Sequence, residues 1–191
     1  MAIITFKEVE KELENFSDYV IQQARSRLTR LKKNEGQLYR SLKADVKQED
    51  GAFLVEFLME DYGAFVDEGV RGKNPSKVSP NSKIRGQQAP NSRFRFGSGK
   101  MRGTFKSFVN KMALFAKKKN VRFRQGDTGK FAKGSYKSMG YVIAKNIYNR
   151  GLKPTMFFSV PYERGVNRFS DKFKDAFVLD VETAIMLGIK K

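Results

Sequence analysis

The 191-residue sequence contains no cysteine, no histidine and no tryptophan. Without cysteine there is no disulfide and no thiolate metal site. Without histidine the commonest general base and metal ligand is gone, leaving an enzyme only carboxylate or lysine chemistry. The phosphate-loop and dinucleotide glycine patterns are absent, and no serine sits in a G-x-S-x-G turn. "RFGSGKMRG" (95–103) has the composition of a phosphate loop but not its spacing. The expectation is therefore a non-enzyme with no catalytic residue, metal or cofactor. No run of eighteen apolar residues occurs, so no membrane span is expected. The start, "MAIITFKEVEKELE", lacks the basic-then-apolar pattern of a signal peptide.

Acidic residues are missing from one region. Between Arg71 and Lys137 there are nineteen Lys and Arg against one acid, Asp127, and the rest of the chain is balanced at nineteen of each. The formal net charge of +18 thus sits in the middle third. A block of one sign meets a polyanion or an acidic partner surface, or it is a solvated loop.

The remaining composition is that of a globular domain, 40% hydrophobic with seventeen Phe, so the core is built largely on phenylalanine. Phe6, Val9, Leu13, Phe16, Val20, Ala24, Leu28 and Leu31 recur at three- and four-residue steps, which predicts a helix from Thr5 to Lys33. Thr5 and Glu8 match a capping box, with Ile4 and Val9 at the staple positions. A helical turn follows around Leu38 to Leu42. A strand begins at Ala44–Lys47, "QEDG" turns the chain, and Ala52–Met59 returns. "DYGAFVDEG" puts Tyr62, Phe65 and Val66 on one side of a helical turn ending at Gly69. Asp61, Asp67 and Glu68 read as partners for basic residues of a neighbour rather than as an active site.

Residues 70–103 hold nine Lys and Arg, no acid and three of the five prolines. Pro, Gly, Asn and Ser exclude helix here, apart from a short "RFRF" strand at Arg93–Phe96. Such a segment is a functional loop or is ordered only on assembly. Beyond it, Phe105, Phe108, Met112 and Phe115 mark one helix. Met139, Val142, Ile143 and Ile147 mark another, closed by Gly151. "VRFRQGDTGKFAKG" reads as a hairpin. There, as in "RFRF", Arg alternates with Phe, which suits either phosphates and stacked bases or an ordinary half-buried strand. "KPTMFFSVP" is extended and buried. Phe169, Phe173, Phe177, Val181 and Ile185 predict a terminal helix, although "AFVLDV" alone could be a strand.

Three short segments, in order, carry a resemblance. They are Gly36, Leu38, Ser41 and Leu42; Tyr62, Phe65, Val66, Asp67 and Gly69; and Pro154, Phe157 and Phe158. With the long first helix and the terminal helix, this arrangement resembles the neck or tail-completion proteins of tailed bacteriophages. The resemblance implies an α+β fold with an antiparallel sheet packed by helices, in one domain spanning 1–191. It implies a homo-oligomeric virion ring around the DNA channel, assembled in the host cytoplasm. Portal, adaptor or head-closure proteins and tail or tail-tube proteins would be its partners, together with genomic DNA. Tyr62, Phe65, Val66, Gly69, Pro154, Phe157 and Phe158 would be core residues of the family pattern. The basic segment 71–102 departs from that pattern. As an extended arm it would offer Arg71, Lys73, Lys77, Lys83, Arg85, Arg93, Arg95, Lys100 and Arg102 to acidic neighbours or DNA. The alternative is a basic DNA- or RNA-binding protein acting through residues 71–137.

Overall fold

The computed structural model describes residues 6–49, 52–80, 82–99, 103–125 and 128–189. In chain order the elements are α1 (Lys7–Arg30), α2 (Gln37–Ser41), β1 (Lys43–Glu49), β2 (Ala52–Leu58), α3 (Gly63–Glu68), β3 (Val70–Arg71), α4 (Phe105–Lys118), α5 (Tyr136–Arg150), β4 (Gly151–Leu152) and α6 (Ser159–Ile189). The fold is α+β, with helices and two small antiparallel sheets, β1–β2 and β3–β4. The chain divides into two compact units. Residues 1–67 and 156–191 form the first and residues 68–155 the second.

In the first unit, α1 buries Phe16, Val20, Ala24 and Leu28 of the predicted stripe together with Ile21, while Phe6, Val9 and Leu13 are half-buried and Leu31, past the helix end, is exposed. Phe16 is the hub. Its ring meets Phe57 of β2 and Tyr162, Phe169 and Phe173 of α6 edge-on, with centroids 5.9–6.0 Å apart. Such pairs add about 0.5–1.5 kcal/mol each beyond area burial. β1 and β2 pair in register from Lys43↔Leu58 to Glu49↔Ala52. Ala44 and Phe57, directly opposite, both pack on the core of Ile21, Ala24, Leu28, Leu38, Leu42 and Phe157.

Thr5 of the expected capping box lies outside the described residues; at the start of α1 Phe6 occupies the cap position without a side-chain bond. The backbone N–H groups of Glu8 and Val9 instead donate to the Asp180 carboxylate of α6, at 3.0–3.2 Å. Asp67 does the same for α6. It is buried, and its carboxylate accepts the N–H of Phe158 at 2.8 Å, the N–H of Ser159 and the Ser159 hydroxyl. α6 begins ten residues before Phe169 and runs for 31 residues, so "AFVLDV" is helical.

In the second unit, Thr104 and Ser135 cap α4 and α5 through the N–H groups of Ser107 and Ser138. α4 turns Val109 and Ala116 inward, leaving Phe115 at 46% exposure. On α5, Gly140 and Ala144 are buried while Val142 is exposed. Both faces were expected to follow the larger side chains. The helices approach too closely for that: a methyl at Gly140 would stand 2.5 Å from the backbone nitrogen of Ala113. Gly151 ends α5 at φ +92° and lets β4 pair with β3. "RFRF" is no strand. Arg95 makes only an isolated bridge to Arg71. The "VRFRQGDTGKFAKG" hairpin forms, with a bridge between Arg124 and Phe131.

Phe65 was expected to be buried beside Phe16, but it is 43% exposed, because the turn at Gly63 places Val66 rather than Phe65 against the core. Thermal or denaturant unfolding should therefore separate the two. Phe16→Ala should cost about 3–5 kcal/mol, and Phe65→Ala well under half of that. Asp180→Ala should cost about 1 kcal/mol, as loss of a helix cap does. Equal costs at positions 16 and 65 would contradict the packing described.

Candidate functional site

The structural division is also a division of charge. The second unit holds 22 Lys and Arg and two acids, Glu68 and Asp127, a net charge of +20; the first holds 16 and 18. Among the described residues, the second unit has a single ion pair, Arg93 to Glu68 at 2.8 Å.

The basic segment is not a free arm. Its backbone is irregular but tied at many points. The N–H of Arg71 donates to the carbonyl of Phe94 at 2.8 Å, and its carbonyl accepts from Phe96 at 2.9 Å. The N–H groups of Lys73, Asn74 and Gln88 donate to the carbonyls of Tyr148, Asn149 and Arg150 at the end of α5. Side chains stand in where ladder partners are missing. Gln87 brackets Gly72, accepting its N–H at 2.6 Å and donating to its carbonyl, and the Ser92 hydroxyl donates to the carbonyl of Gly69. Composition and the lack of apolar periodicity suggested an arm ordered only on assembly. Here Gln87 and Ser92 satisfy backbone groups of the buried Gly72 and Gly69 instead.

The proposed contact residues differ in freedom. Arg71 is half-buried, with an Nε that has no acceptor. Lys73 lies with its ammonium 5.8 Å from the Tyr148 ring centroid. Lys77 ends the short 3-10 turn Pro75–Lys77. Lys83 and Arg85 are exposed at the far end of the segment, where the Arg85 guanidinium bonds only to local carbonyls. Arg93 stacks on Phe94 while pairing with Glu68, and Arg95 is exposed. Lys100 and Arg102 lie outside the described residues. Arg150 also has a buried, unpartnered Nε, and burial lowers its pKa.

A second cluster lies on the hairpin 121–134, where Arg122, Arg124, Phe131 and Lys133 are all exposed. The alternation of Arg with Phe in "VRFR" drew attention to the first strand. Phe131 was missed because its neighbours "GKFAKG" do not alternate.

Of the residues behind the resemblance, expected in the core, Tyr62 and Phe65 are exposed, at 42% and 43%. The Tyr62 hydroxyl accepts the N–H of Leu38 at 3.0 Å. Val66, Phe157 and Phe158 pack with Leu38 and Leu42. Gly69, at φ +73°, brings its backbone so close to Leu152 and Pro154 that a methyl would stand 2.7 Å from the Pro154 nitrogen. Asp67 and Glu68, expected to pair with a neighbouring protein, find their partners in their own chain. Among the described residues no group of three or more acidic side chains could hold a metal ion, and no helix is long and apolar enough to cross a membrane.

No protein-family model, curated protein or solved structure matches the chain.

Limited trypsin digestion should cut the native chain at Lys83 or Arg85 before Arg71 or Lys73, whose flanking backbone is hydrogen-bonded on both sides. Mass spectrometry of the first fragments reads the order. Initial cleavage at Arg71 would show that the tethers to Phe94 and Phe96 do not hold.

Proposed function

We propose that this chain is a structural, non-catalytic virion protein of a tailed bacteriophage, a subunit of a homo-oligomeric ring in the head–tail neck or tail-completion layer. Its second unit faces the DNA of the channel or acidic surfaces of portal, head-closure or tail proteins. One observation carries the reading: the net charge of +20 is confined to one compact unit, beside a partner unit that is nearly neutral. Like charges without internal counter-charges repel one another, so the arrangement does not serve folding. Its complement must be external and anionic. The convergence of Leu38, Leu42, Val66 and Phe157 in one core supports the resemblance, because those segments belong together in space as well as in order.

A DNA- or RNA-binding protein acting outside a particle is the second reading, supported by the same charge. Tight binding to random duplex at physiological salt, with no part in particle formation, would favour it.

The test is complementation of a phage that lacks the chain. Without it, complete particles should not form. A variant with Lys73, Lys77, Lys83 and Arg85 replaced by Gln should melt close to the parent, since exposed charges contribute about 0–1 kcal/mol each even when paired. It should nonetheless yield fewer complete particles, increasingly so as salt rises. Normal particles without the chain would refute the structural role. A variant that assembles like the parent would reduce these charges to a solvated surface.

A further inference from the structure

We infer that the outward face of the hairpin 121–134 is a contact for single-stranded nucleic acid, in which a base stacks on Phe131 while Arg122, Arg124 and Lys133 hold the adjoining phosphates. This rests on the reading that the second unit faces nucleic acid rather than an acidic protein.

The geometry begins with strand alternation. The N–H of Ala132 donates to the carbonyl of Phe123 at 2.9 Å, that of Gln125 to Lys130 at 2.8 Å, and Arg124 stands opposite Phe131. Side chains of one face are therefore Arg122, Arg124, Phe131 and Lys133, and those of the other are Phe123 and Ala132. Phe123 is half-buried and covers Gly134, as a core-facing ring does. Phe131 is 51% exposed. The Arg124 and Arg122 guanidiniums lie 5.0 and 5.5 Å from its centroid.

Arg122 is held in place before any ligand arrives. Its Nε donates to the Tyr136 hydroxyl at 2.9 Å, it lies 5.4 Å from the Tyr136 ring centroid, and that hydroxyl donates to Asn120. Among the described residues no carboxylate pairs with Arg122, Arg124 or Lys133. A cleft of about 420 Å³ opens beside Arg122 and Lys133, lined also by Phe131, Tyr136 and Met139 and, from the other face, by Phe123 and Ala132. That is within the size range of small-ligand sites, about 300–1,000 Å³.

Cations around an exposed ring select among polyanions. An acidic protein surface would use the three charges and gain nothing from Phe131. Duplex DNA presents phosphates but keeps its base faces stacked. A single strand offers both a charged backbone and free base faces, which aromatic rings and guanidinium groups bind by stacking.

The experiment is fluorescence anisotropy of the full chain with labelled oligothymidylate, the matching duplex, and polyglutamate as competitor. The parent should bind the single strand more tightly than the duplex. Phe131→Leu should weaken single-strand binding roughly 5- to 150-fold, the range for loss of one stacked base. Phe131→Tyr, which keeps the ring, should restore it. Arg122→Gln should weaken binding and reduce the slope of affinity against salt by roughly one phosphate contact, about 0.7 for a single strand. Lys11→Gln, a loss of equal charge in α1, should change little. If Phe131→Leu melts like the parent and binds the strand as tightly, the stacking site is refuted while the charge reading of the unit stands. Competition by polyglutamate as effective as by oligothymidylate would identify an acidic protein partner instead. Absence of binding to any polyanion would overturn both this site and the reading of the second unit.

Discussion

The Asp67 carboxylate is the point on which the first unit turns. It is buried, yet it is surrounded by donors: the N–H groups of Phe158 and Ser159 and the Ser159 hydroxyl. A buried carboxylate is tolerated only when its oxygens are satisfied, and the amino end of a helix is a favourable place for negative charge. In holding the first turn of α6, Asp67 also fixes Phe158 just before that helix, next to Phe157, which is fully buried with Leu28, Leu38 and Leu42. α6 then carries Asp180 to the first turn of α1, where it caps Glu8 and Val9. Each long helix is thus started by a carboxylate from a distant part of the chain. Packing and capping depend on each other: neither carboxylate reaches its donors unless the aromatic layer around Phe16 has formed.

That dependence separates what the sequence made legible from what it did not. The α1 stripe, the β1–β2 pairing and α5 follow from local periodicity and turn chemistry, and they are present. "KPTMFFSVP" is not one extended, buried run: Met156 stands at φ +51° and is exposed, Phe157 is buried in a turn, and α6 begins at Ser159. The Asp180 cap of α1 was not foreseen, because a carboxylate 172 positions away leaves no mark in a local window. Phe65 and Phe115 were misjudged for a related reason. Periodicity locates an apolar face to within about one residue, and Val66 and Ala116 are the ones that reach the core. On α5, Met139 is buried as expected, but Val142 is exposed and Gly140 and Ala144 are buried, because α4 lies against Gly140.

The candidate site was legible as charge and illegible as structure. Counting residues placed the basic block, 71–137, inside the second unit, 68–155, and missed its last eighteen residues. Which cations are tethered and which stand free depends on side chains such as Gln87 and Ser92, whose amide and hydroxyl take over backbone partners. An Asn- and Ser-rich segment looks the same in sequence whether those groups face water or the chain itself.

The second unit enters and leaves the first through two successive pairs of residues, Asp67–Glu68 and Thr155–Met156. The exits are stitched together on the near side, where the N–H of Met156 donates to the carbonyl of Asp67 at 3.0 Å. The first unit closes the mouth of the insertion with this bond, and the β3–β4 pairing of Val70 with Leu152 closes it again just inside. Since the entropy of closing a loop grows only slowly with its length, that mouth is indifferent to the size of its cargo. The chain has the plan of a socket and a replaceable module. A lineage could exchange the basic module for one of another charge or length, and so change what the protein touches, without renegotiating the helices that hold it.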